Sequence, residues 1–131
     1  MELVKVVSIV GLYFLILLTS SSAFQTIVTR IYESEGDYRI GPYIFMLQYA
    51  AFMIMNLFVP LLRYSYKWMM TLSALCYAFN NATGFFVIDS GQVARYIIAG
   101  FGAIINGMGG VFLWISASRY LHNACHHYQK E

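Results

Sequence analysis

Residues 96–118 read YIIAGFGAIINGMGGVFLWISAS, with no charge in 23 residues and with five glycines. A helix needs about 20 mostly apolar residues to cross the hydrocarbon core of a bilayer. Three further charge-free runs lie upstream, residues 6–29, 40–62 and 68–88, of 24, 23 and 21 residues. Lipid offers backbone amides no water, so each run must satisfy its own hydrogen bonds as a helix. The fold expected is all-α: four transmembrane helices of an integral membrane protein, antiparallel because the connections between them are short. The helices fall at about 4–29, 40–62, 67–88 and 95–121, with a C-terminal tail at 122–131. Together they make residues 1–131 a single transmembrane domain.

Composition agrees. Charged residues are 11% of the 131 and apolar ones 60%, with a mean hydropathy of +0.62, against about 25% charged in soluble chains. A soluble four-helix bundle would carry charges along one face of each helix. Here all 8 basic and 6 acidic residues lie outside the four runs. The net charge of +2 and the lack of a basic patch exclude nucleic acid as a partner. Cys76 and Cys125 fall in the third run and the tail, at different membrane depths, which argues against a disulfide. Lys5 before an apolar run, then Ser20-Ser21-Ser22-Ala23, imitates a signal peptide. The 24-residue run is longer than a signal core, so it reads as a retained helix.

Gly41-Pro42 opens the second helix, where the missing proline donor costs nothing. Pro60 helps to end it. Lys5, Arg63, Lys67, Arg119 and Lys130 fall on one side of the membrane, and Arg30, Arg39 and Arg95 on the other. The excess places both termini inside, in the cytosol, or in the matrix if the membrane is the mitochondrial inner one. Tyr38, Tyr43, Tyr64, Tyr66, Trp68, Tyr96 and Tyr120 flank the runs as interfacial anchors.

Candidate functional residues are sparse. Gly100, Gly102, Ala103, Asn106, Gly107 and Gly110 form a small or polar stripe, and small residues let membrane helices approach closely. They are read as a helix-packing interface; a rocking surface or substrate path in a transporter is the sharper reading. Gln25, Gln48, Asn56, Asn80 and Asn81 are further intramembrane polar groups, suited to interhelical hydrogen bonds. No Asp, Glu, Lys, Arg or His lies in any run, so an ion or proton relay of the usual kind is missing. His122, Cys125 and His126 would share a helical face and are weak metal candidates, lacking the fourth ligand of a closed site. Asn81-Ala82-Thr83 matches a glycosylation pattern but lies within a span. No nucleophile–base set and no phosphate loop occurs. The expectation is no enzyme, no cofactor and no metal.

Gly107-Met108-Gly109-Gly110-Val111-Phe112-Leu113-Trp114, then Arg119-Tyr120-Leu121, resembles the fourth helix of the UNC-ninety-three-like branch of the major facilitator superfamily. Leu72-Ser73-Ala74-Leu75-Cys76-Tyr77-Ala78-Phe79 looks like that branch's third helix. Gly11, Phe14, Leu15 and Ala23-Phe24-Gln25 are similar to its opening one. The resemblance implies part of a transporter N-terminal half, whereas such transporters have two halves and about twelve spans. Ala117-Ser118 stands where the family carries Gln-Gly. The Asp-Arg-x-Gly turn of the superfamily is reduced to Arg63 and Lys67. The function expected is that of a truncated, transporter-like, non-catalytic accessory subunit. It would pack against lipids and other transmembrane subunits of a larger complex, an energy-converting (respiratory-type) one being favoured. The alternatives are part or a protomer of a major facilitator transporter, and a regulatory subunit of an ion channel.

Overall fold

A computed structural model describes residues 2–61, 63 and 65–128, the side chains of residues 2 and 60 aside. All regular structure among them is helical: α1 (Glu2–Ser34), α2 (Ile40–Phe58), a 3-10 turn (Val59–Leu61), α3 (Tyr66–Ile88) and α4 (Gln92–Tyr128). All four α-helices are long and apolar enough to cross a membrane. Tyr64, Lys130 and the end of the tail lie outside the described residues.

Contacts between the helices set their directions. Tyr13 reaches Met70 and Ser73, and Phe24 lies on Gly84, so α1 and α3 run the same way. Gly100 meets Tyr43 and Gly110 meets Phe52, so α2 and α4 also run together. Gly102 opposes Thr83 while Gly109 opposes Cys76, so α3 and α4 are antiparallel. The bundle therefore runs up, down, up, down.

Two helices extend well beyond their charge-free runs. α1 continues past residue 29 to Ser34, and α4 past residue 121 to Tyr128, taking in most of the expected tail. A charge-free run measures hydrocarbon thickness, and a helix need not stop where lipid does. At about 1.5 Å per residue, α4 is about 55 Å long against a core of about 30 Å. His126 and His127 in its last turn complement the negative end of the helix dipole. α1 is stopped by Gly36 at φ +86°, with Gly36 N–H donating to the Glu33 carbonyl and Asp37 N–H to that of Tyr32. This is the Schellman pattern, and its left-handed residue favours glycine. Pro60 lies in the 3-10 turn that follows the second helix, and its missing N–H removes one helical hydrogen bond there.

Two apolar clusters cap the bundle. Val28, Tyr32, Ile40, Val87 and Ala99 form one, and Val59, Met69, Val111 and Phe112 the other. Between them lies a belt of small and polar residues centred on α4. α4 packs extensively on α3 and on α2, whereas α1 touches all three helices sparingly.

Candidate functional site

The belt is built from glycines that divide between two neighbours. Gly102 and Gly109 face α3: a Cβ on Gly102 would lie 2.5 Å from Thr83 Oγ1, and one on Gly109 2.7 Å from Cys76 Cβ. Gly100 and Gly107 face α2: a Cβ on Gly100 would lie 2.9 Å from the Tyr43 hydroxyl, and one on Gly107 would overlap the Gln48 backbone carbonyl. Gly110 sits against Phe52, with the Tyr77 hydroxyl beyond. Each pair is seven residues apart, two helical turns, so one helix docks two neighbours along two seams. Ala103 is 1% exposed within the same surface. In lipid there is no hydrophobic drive between helices, so this close van der Waals approach holds them together. The stripe, expected as a helix-packing interface, lies against α2 and α3 of the same chain.

The amides behave unequally. Gln25 Nε2 donates to Gln48 Oε1 at 2.8 Å and ties α1 to α2. Asn56 Nδ2 donates to its own helix at Phe52 O, 3.0 Å away. Asn80 is buried, and its carbonyl accepts from Thr83 Oγ1 at 2.7 Å. Asn81 Oδ1 is buried without a partner. Asn106 is 1% exposed, and neither Oδ1 nor Nδ2 has a hydrogen-bond partner among the described residues. Among the described residues the glutamine pair thus forms an interhelical hydrogen bond, and Asn106 forms none.

The metal candidates do not converge. His122, Cys125 and His126 are exposed, with the two imidazole centroids 6.5 Å apart. Among the described residues no three His, Cys, Asp or Glu side chains are grouped to hold a metal ion.

At one membrane face a feature appears that the sequence reading did not identify. Glu35 and Asp37, from the α1–α2 connection, meet the start of α4. Glu35 pairs with Arg95, and the Tyr96 hydroxyl donates to Asp37 Oδ1 at 2.8 Å. Arg95 Nε also donates to the Ser90 carbonyl at 2.9 Å. The available signal was the opposite charge of two connections assigned to one side. A polar cleft between α1 and α2 also went unanticipated, because its residues are scattered singly through apolar runs.

A family model described as "Ion channel regulatory protein UNC-93" matches residues 34–131. The match spans α2, α3, α4 and their connections, and meets α1 only at its last residue. The first-helix resemblance at Gly11, Phe14 and Leu15 lies outside it. No curated protein and no solved structure matches the chain. With three of its four helices, the central glycine-rich α4 among them, inside the matched region, the chain belongs to the UNC-93 family.

Proposed function

We propose that the protein is a non-catalytic regulatory subunit that sits beside an ion channel in the membrane and acts on it through helix–helix contact. The carrying observation is the unequal use of helix surface. Of the most apolar 18-residue window, 61% is buried within the bundle in α4 and only 6% in α1. Leu12, Leu15 and Ile16 are 57%, 63% and 59% exposed. Such a surface takes either lipid or another transmembrane helix. The glycine belt of α4 serves in this reading to hold the bundle in one shape.

The family description supplies the class of partner. A channel therefore replaces the energy-converting complex as the assembly favoured for this accessory subunit. The likeness to a major facilitator N-terminal half enters as an account of its shape, a transporter-like bundle used as a packing block. The runs hold no Asp, Glu, Lys, Arg or His, which favours this over ion-coupled transport. The Lys and Arg count, five against three, favours both termini on the cytosolic or matrix side.

Current recording from cells depleted of this protein tests the reading. One defined conductance should change, and return with the wild-type chain. It should not return with a chain carrying alanine at Leu12, Leu15 and Ile16. Unchanged currents, or solute uptake into liposomes containing the chain alone, overturn it.

A further inference from the structure

A cleft of about 500 Å³ separates α1 from α2. It follows α1 from Leu18 to Glu33, about 22 Å along the axis. Its inner end lies close to the middle of the 6–29 run, and its outer end carries Arg30 and Glu33. Its lining is mixed: Ser21, Ser22, Gln25, Thr26, Thr29 and Gln48 put polar groups at this depth beside Leu18, Phe45 and Tyr49, with Tyr77 at the floor. Ser21 and Tyr77 are 5% and 7% exposed. Neither hydroxyl has a hydrogen-bond partner among the described residues. Gln25 and Gln48 both line the cleft, and their mutual bond uses only one amide group of each, the Gln25 nitrogen and the Gln48 oxygen.

An acyl chain in this space would leave those groups unsatisfied, at about 1–3 kcal/mol each. Water would satisfy them. A water needs roughly 10–15 Å³ and two to four polar partners, and the cleft exceeds the volume many times over. Arg30 and Glu33, three residues apart on α1, pair with each other at 3.2 Å on one wall of the mouth. No charged residue lines the cleft deeper than that pair, so nothing in it selects an ion over water.

We propose that the α1–α2 cleft is a water-filled vestibule, entering the bilayer from the side of the α1–α2 connection and ending at the Tyr77 hydroxyl. It is independent of the channel reading, since it asks only what fills a space within this chain. It makes one membrane leaflet effectively thin beside α1.

Cysteine accessibility tests it in the full chain, reconstituted in phosphatidylcholine nanodiscs on a Cys76→Ser, Cys125→Ser background. The probe is a membrane-impermeant methanethiosulfonate. Ser20 and Ser21 differ in depth by about 1.5 Å, but Ser21 lines the cleft and Ser20 faces outward. Ser21→Cys should react at least tenfold faster than Ser20→Cys, and Thr29→Cys, nearer the mouth, faster still. Equal slow rates at positions 20 and 21 mean the cleft is filled by lipid or protein and overturn the proposal. Equal fast rates mean this segment lies outside the bilayer and overturn it too. A rate higher at Ser21→Cys than at Thr29→Cys reverses the direction of entry and also overturns it. Ser22→Cys, on the same wall, carries the comparison if Ser21→Cys fails to assemble.

Discussion

α1 and α4 are both uncharged across the bilayer, yet they are held in place by different means. α4 is buried on two sides and docks through glycines that bring backbones together. α1 stands at the edge and is attached at separate points. Phe24 sits over Gly84, Tyr13 donates to the Met70 carbonyl at 2.7 Å, Gln25 bonds Gln48, and Phe14 packs edge-on to Trp114 at 5.2 Å. Apolar content therefore says where a helix lives and nothing about how firmly it is held. In lipid, holding depends on small residues that admit a neighbour and on a few hydrogen bonds.

The sharpest way to break the contrast is to add volume at Gly107. Its Cβ would meet the Gln48 carbonyl and Ala51, which are backbone and short side chain and cannot swing away. Gly107→Val should destabilise the bundle by about 1–3 kcal/mol, read as a lower unfolding midpoint in detergent by circular dichroism. Gly11→Val on α1, with nothing within 4 Å of its Cβ, should shift the midpoint little. Equal effects would erase the distinction between the helices.

Next in size is Phe24→Ala. In water such a truncation costs about 3–5 kcal/mol. In lipid the transfer part largely vanishes, and about 1–2 kcal/mol of packing remains. Spin labels on α1 and α3 should report a wider distance distribution in this variant, with the α3–α4 distance unchanged.

Asn106→Leu should go the other way. Both polar atoms of Asn106 lack partners, so their removal relieves a desolvation cost of about 1 kcal/mol. A raised or unchanged midpoint is expected. A fall of similar size would mean that the amide has a partner in the membrane, such as bound water. The smallest effect belongs to Gln25→Leu, at about 0.6 kcal/mol for one interhelical bond. A double-mutant cycle with Gln48→Leu should return that coupling.

How much of this was legible in the sequence follows from the same contrast. The helices could be placed because a charge within hydrocarbon is costly, so charges bracket the spans at Lys5, Arg30, Arg39, Arg63, Lys67, Asp89, Arg95 and Arg119. Gly100 to Gly110 announced close packing, since nothing else explains so many glycines in a helix. Their partner was not legible, because periodicity reports a face and not what lies across from it. α2 and α3 turned out to lie there. The Glu35–Arg95 pair joins residues 60 apart and belongs to no local pattern. The cleft went unseen for a related reason. Ser21, Gln48 and Tyr77 come from three helices, and only their assembly makes a polar wall. The ends of α1 and α4 were misjudged because charge marks the edge of lipid while helix propagation continues through headgroups and water.

The central place of α4 bears on how the protein is made. α4 leaves the ribosome after α1, α2 and α3, and α2 and α3 have little else among these helices to dock on until it arrives. At about 5–20 residues per second, the 40 residues from Ile88 to Tyr128 take about 2–8 s to synthesise. During that interval three inserted helices wait side by side with their glycine-receiving surfaces open to lipid and to the insertion machinery. Quality control in the membrane has that window in which to recognise an unfinished bundle, and the arrival of a single glycine-rich helix closes it.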